Sequence, residues 1–198
     1  MSDRPLAVRL RDRLTRAYVD AYYASESEAL GDGLYWFESD GDTVGQATPF
    51  GTVILNRRAF ARLSPATREY VLAHERGHGG RGLLFGGCYW GTFAAWSLAG
   101  ALFVYSGLGT LVGGSAVPLA APGFLLATLA FLAVWWLDEL RADLAALGTV
   151  GEERLRTAHR ELRGGRPTAL ARLVYPAPAT TARVRRLLVR LRGRKPRV

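Results

Sequence analysis

Residues 82–137 read GLLFGGCYWGTFAAWSLAGALFVYSGLGTLVGGSAVPLAAPGFLLATLAFLAVWWL, and from Gly82 to Leu137 there is no Asp, Glu, Lys, Arg or His. Water-soluble helices of that length keep a charged face, so the stretch reads as membrane-embedded. About 20 residues cross a bilayer core, so it is too long for one crossing. The spacing predicts two spans, about 82–105 and 117–137, joined by a glycine-rich turn with Pro118 and Pro122 nearby. Tyr89, Trp90, Tyr105, Trp135 and Trp136 stand at the ends, where aromatic side chains favour the membrane interface.

All of the charge lies outside this stretch: 26 Lys plus Arg against 17 Asp plus Glu, a formal net charge of +9 in 198 residues. A hairpin returns the chain to the side it left. Both basic flanks then share one face, and the positive-inside rule predicts that face, with both termini, to be cytoplasmic. The basic balance reads as a topology signal, and no nucleic acid is expected as a partner, because no RNA- or DNA-binding pattern accompanies it. The single cysteine, Cys88, excludes a disulfide scaffold and a cysteine-based zinc finger.

The flanks read as one domain over 1–198 with the hairpin inserted in it, mainly α with a small β-sheet. Residues 4–23 form an amphipathic helix with Leu6, Leu10 and Leu14 four apart, expected to pack on the domain. They do not read as a signal peptide, because charges run throughout. Leu34–Phe37 and Gly51–Asn56 are strand candidates between turn signals. Ser64-Pro65 opens a helix through His78, with serine as cap and proline where no amide donor is needed. Beyond the hairpin, 152–162 reads as a helix, 164–167 as a break and 169–173 as a short helix. Residues 182–198 read as a basic helix and tail, suited either to anionic lipid or to packing on the domain with a solvated face.

The chemistry concentrates in His74-Glu75-Arg76-Gly77-His78. Histidines at i and i+4 share one helix face, close enough to ligate one metal ion, with Glu75 placed to take a proton from a bound water. Such a site needs a third ligand. Glu139 and Asp143, again i and i+4, follow the second span. One of them can bind the metal while the other fixes a ligand imidazole. Asp138 is rotated about 100° from Glu139 and is the weaker candidate. His159, in an Arg- and Glu-rich helix, reads as a surface residue. The hairpin brings His78, just before it, back to Glu139, just after it.

HExxH, a two-span hairpin and then Glu139-Leu-Arg-Ala-Asp143 resembles the membrane zinc metalloproteases of the HtpX and CAAX prenyl protease type, over roughly residues 49–191. The resemblance implies a gluzincin-type core interrupted by the hairpin and one Zn²⁺ per chain on His74, His78 and Glu139. It also implies Glu75 as general base and Asp143 as the orienter of a ligand. It implies further that the strand Thr52-Val53-Ile54-Leu55-Asn56 holds an extended peptide by strand addition. Where such proteins carry His-Pro and then Arg, this chain has Tyr175-Pro176 and Arg183, implied donors to the oxyanion. The expected substrate is a peptide or a membrane protein cut at the cytoplasmic membrane face. Membrane lipid, and a partner membrane protein or a second copy, are the further expected partners. The competing expectation is a metal-binding regulatory or adaptor membrane protein with the same fold and no proteolysis.

Overall fold

The structure, a computed structural model, describes residues 5–79, 83–111, 117–162 and 175–193. The expected break at 164–167, the short helix at 169–173, residues 112–116 of the expected turn region and the tail at 194–198 lie outside the described residues. The chain divides into two units. One comprises Met1–Gly80, Arg141–Thr168 and Ala177–Val198; the other comprises Arg81–Leu140 and Ala169–Pro176.

The first unit is α+β. It opens with α1 (Leu6–Tyr23), followed by β1 (Glu28–Gly31), β2 (Leu34–Phe37), β3 (Gly45–Ala47) and β4 (Val53–Asn56). The sheet order is β1-β2-β4-β3, with β2 and β4 parallel and the other two pairs antiparallel. Both expected strands are present as β2 and β4. Within the turn-rich segment between α1 and Gly51, two more form. The β1–β2 turn runs through Gly31, Asp32 and Gly33, all at positive φ, a region where glycine carries no Cβ penalty.

All four residues of β4 are buried, which is why Val53, Ile54 and Leu55 are apolar in a row rather than alternating with polar residues. On one side, Ile54 packs with Tyr35, Phe37 and Val19 of α1. On the other, Val53 and Leu55 pack with Phe60 of α2 (Arg57–Ala61) and with Tyr70 and Val71 of α3 (Pro65–Gly79). Ala146, Leu147, Leu155 and Ala158 complete that second cluster. Each large apolar side chain taken fully out of water there contributes about 1.5–3 kcal/mol.

α1 is helical as expected but turned over. Its buried residues are Thr15 and Val19, whereas Leu6, Leu10 and Leu14 are exposed. Hydrogen bonds decide the choice of face. Thr15 meets the Thr52 hydroxyl at 2.9 Å, Tyr35 donates to Asp12, and Tyr23 donates to Gln46 Oε1 at 2.6 Å. Burial, followed by the hydrogen bond to Asp12, pushes the Tyr35 phenol up to about 12.

α3 begins where the sequence predicts. The Thr67 amide donates to Ser64 Oγ at 3.4 Å. The cap is reinforced from α6 (Glu152–Leu162), whose Glu161 accepts the Ser64 amide at 2.8 Å, the Ser64 hydroxyl at 2.6 Å and the Thr67 hydroxyl. The last helix, α7 (Pro178–Gly193), starts earlier than its expected 182 and joins this unit through Thr181 and Ala182, both buried.

The second unit holds α4 (Leu83–Leu111) and the first part of α5 (Val117–Val150). They run antiparallel. Phe93 meets Phe131 at 5.7 Å, Trp96 stacks on Phe131 at 5.3 Å, and Phe103 stacks on Phe124 at 5.4 Å. The indole N–H of Trp96 donates to the Thr128 hydroxyl at 3.1 Å. A Cβ on Gly100 would stand 3.2 Å from the Phe124 ring, so that glycine admits the close approach.

Among the described residues one helix, Ala120–Val150, is long and apolar enough to cross a membrane. Two spans were expected. The first falls on α4, an uncharged helix. The second was expected to end near Leu137. Instead α5 continues unbroken to Val150, about 50 Å in all at 1.5 Å per residue. The surplus beyond a bilayer core of about 30 Å carries the acidic residues.

Candidate metal centre

α3 places Tyr70, His74 and His78 at successive turns of one face. The His74 and His78 rings are edge-to-face, centroids 4.8 Å apart, with Nε2 to Nε2 at 3.1 Å. Gly77, between them, allows α3 to lie against α5. A Cβ there would stand 2.8 Å from Ala142 Cα and 3.1 Å from its carbonyl oxygen. Ala142 and Ala146 are small and wholly buried. Two helices at this separation bring Asp143 of α5 to His74, with Nδ1 to Oδ1 at 2.9 Å.

Asp143 is 1% exposed, and its two oxygens face four polar groups. Oδ1 accepts the Tyr70 hydroxyl at 2.7 Å and His74 Nδ1. Oδ2 lies 3.3 Å from His159 Nε2 and 3.4 Å from the Thr181 hydroxyl. The apolar run ends at Leu137, so this carboxyl lies beyond it. Burial alone would push its pKa up. The hydrogen bonds of His159 and His74, with their charge when protonated, outweigh that and hold it well below the usual carboxylate range.

A carboxylate can only accept, so His74 carries its proton on Nδ1 and presents the Nε2 lone pair to His78. Two imidazole nitrogens facing each other at 3.1 Å fit a shared cation. Donors at about 2.05 Å in a tetrahedral site stand about 3.3 Å apart. Glu139, one turn before Asp143 on the same helix, supplies the third group. One ligand atom each from His74, His78 and Glu139 lie within 4.8 Å of one another. This donor set, two nitrogens and a carboxylate oxygen, fits Zn²⁺ or another divalent ion.

Glu75 is half-buried and flanks β3. A Cβ on Gly45 would come within 3.4 Å of its Cγ. Tyr23 feels the same carboxylate: burial, then Tyr18, then Glu75 push its phenol up.

The expected peptide-binding strand departs from this geometry. β4 is internal, with its backbone paired to β2 on one side and β3 on the other. Its polar residues are occupied as well. The Thr52 hydroxyl meets Thr48 at 2.6 Å, and Asn56 Nδ2 donates to the carbonyls of Ser39 and Gly41. The edge strand beside Glu75 is β3. Arg183 is exposed and stands about 200° round α7 from Thr181, so it does not join the residues around Asp143. Tyr175 is 38% exposed. Asp138 is buried, and the group that could hold a metal ion includes Glu139.

His159 corrects the surface expectation, being 6% exposed. The signal was present in α6. His159 is four residues after Leu155 and adjacent to Ala158, both wholly buried, so it lies on the packed face. Tyr70, one turn before His74, was legible in the same way.

No family model, curated protein or solved structure matches this chain. The chemistry of the site therefore rests on its own residues.

Proposed function

We propose that this protein is a membrane-bound zinc-dependent endopeptidase that cleaves peptides or membrane-protein segments at the cytoplasmic face of the membrane. The observation that carries the reading is the pairing of His74 and His78. Asp143 holds His74 so that its Nε2 faces His78 Nε2 at 3.1 Å, and Glu139 completes the group. A zinc ion held there would supply Lewis-acid polarisation of a carbonyl and lower the pKa of a water toward about 7.

The protein's own groups do the rest. Glu75 takes the proton of the attacking water and passes it to the leaving amine. The edge strand Gly45–Ala47, beside Glu75, receives the extended substrate by main-chain pairing. The Tyr175 phenol remains the candidate donor to the oxyanion. The membrane part of the reading is supported by the apolar helix Ala120–Val150, and by leucines exposed along both helices of the second unit. In this reading α4 and α5 both span, and the arginine-rich flanks hold both termini in the cytoplasm.

The test compares wild type with Glu75→Gln. Wild type should carry about one zinc per chain and cleave peptide substrates in a chelator-sensitive way. Glu75→Gln should keep the metal and lose at least a hundredfold in kcat, the lower end of what a positioned general base contributes (about 10²–10⁴). If the variant cleaves as fast as wild type, the mechanism is wrong. Zinc without any proteolysis in wild type would point to a metal-binding regulatory protein.

A further inference from the structure

Three elements besides its own α5 meet Asp143: α3 through Tyr70 and His74, α7 through the Thr181 hydroxyl, and α6. The metal centre accounts for α3 and α5; α6 contributes His159, whose ring centroid is 5.3 Å from that of Tyr70. Its Nε2 is 3.0 Å from the Tyr70 hydroxyl and 3.3 Å from Asp143 Oδ2, while its Nδ1 is buried with no hydrogen-bond partner among the described residues.

The proton positions follow from these distances. Tyr70 gives its one hydroxyl proton to Asp143 Oδ1 at 2.7 Å, so its oxygen is left as an acceptor toward His159. A carboxylate oxygen is likewise an acceptor. Nε2 of His159 therefore faces two acceptors and must carry the proton. The orphan Nδ1 is then a bare lone pair, which is less costly to bury than an unpaired N–H.

We propose that His159 is a positioning residue for the metal centre. Its Nε2–H clamps the Tyr70–Asp143 pair, and Asp143 in turn holds His74 on Nδ1 so that Nε2 stays available to the metal. The chain is His159, Asp143, His74, with Tyr70 bridging the first two. The inference rests on the metal-site reading above, but it concerns the state of His74, which can be read without metal.

Two substitutions separate this role from packing. In His159→Gln the side-chain amide reaches the place of Nε2; in His159→Asn it reaches only that of Nδ1. Competition of each full-length protein against a chromophoric chelator gives zinc affinity. His159→Asn should bind zinc about 10- to 100-fold more weakly, as outer partners of metal-binding histidines do, and His159→Gln should stay near wild type. Wild-type affinity in His159→Asn, or an equal loss in both variants, overturns the proposal.

The second readout uses metal-free protein labelled with ¹⁵N-histidine, whose three histidines give separable signals. His74 should hold the Nδ1–H tautomer in wild type and in His159→Gln, and lose it in His159→Asn. If His159→Asn fails to fold, His159→Gln still decides: a tautomer mixture at His74 in that variant sinks the proposal. Wild type that binds no zinc, yet shows this tautomer pattern, would remove the peptidase reading and leave the role of His159 standing. A His74 tautomer that is the same in all three proteins would do the reverse.

Discussion

The two units bury opposite chemistry. In the first, Val19, Ile54, Leu55 and Leu155 are 0–1% exposed, and the polar groups sealed in with them, such as Thr15, Thr52, Asn56 and Asp143, have hydrogen-bond partners. In the second, the leucines point outward: Leu98, Leu102, Leu125, Leu126 and Leu129 are 55–70% exposed. Between its helices the described residues stack a ladder of aromatic rings, and Trp96 donates to Thr128 among them. An interior held by burial is what water imposes. An apolar outside over a ring-packed inside is what hydrocarbon permits, because lipid tails are as apolar as leucine.

Substituting a leucine in each unit is the most direct way to break that contrast. Leu55→Ala should cost about 2–5 kcal/mol, since the side chain is fully enclosed and β4 holds both faces of the core. Leu126→Ala, at a position 70% exposed, should leave the denaturation midpoint in detergent almost unchanged. Leu126→Arg should instead impair insertion, at a cost of about 2.5–3.5 kcal/mol near the centre of a span, read as loss of protein from the membrane fraction. Equal destabilisation by the two alanine variants would mean that Leu126 is covered by protein, and the contrast would fail.

A smaller effect tests how the first unit builds its site. Gly77→Ala forces a Cβ to within 2.8 Å of Ala142 Cα, a backbone atom that cannot swing aside. Overpacking of this kind costs about 1–3 kcal/mol. The displaced helix is the one that carries His74 and His78, so zinc affinity should fall together with the melting temperature. A variant with wild-type affinity would show that α3 and α5 can separate at Gly77 without disturbing Asp143 and His74.

What was legible in the chain follows the range of the interaction. α3 was readable to its first residue, because the Ser64 cap, Pro65 and the His74–His78 spacing are all local. The group of His74, His78 and Glu139 was readable because two i, i+4 pairs flank one uncharged stretch. β1 and β3 were not. Glu28–Gly31 and Gly45–Ala47 contain no β-branched residue, and they become strands only because β2 and β4 offer them backbone partners. The internal position of β4 was hidden for the same reason, since an edge is defined by which neighbours arrive. The packed face of α1 was misread because three leucines outweigh one threonine in any hydrophobic pattern. In the folded chain, the hydrogen bonds of Thr15 and Asp12 decide the face.

The smallest effect concerns the cap that α6 provides to α3, the helix of His74 and His78. Glu161 is almost fully solvated, yet hydrogen bonds lower its carboxyl below the ordinary value of 4.5. The Ser64 hydroxyl contributes most, then the Thr67 hydroxyl and the Ser64 amide. A carboxyl whose folded pKa lies below its unfolded one stabilises the protein above the unfolded value, and that contribution is lost as pH falls through the folded value. Glu161→Gln should therefore lower stability by a few tenths of a kcal/mol near neutral pH, because solvent screens an exposed carboxylate. The gap to wild type should close as pH falls below 4.5. Denaturant midpoints measured for both proteins from pH 7 down to the acid limit check this. A gap that persists unchanged at the acid end would mean that the neutral acid caps Ser64 and Thr67 as well as the carboxylate does. The tie between α6 and the start of α3 would then owe nothing to charge.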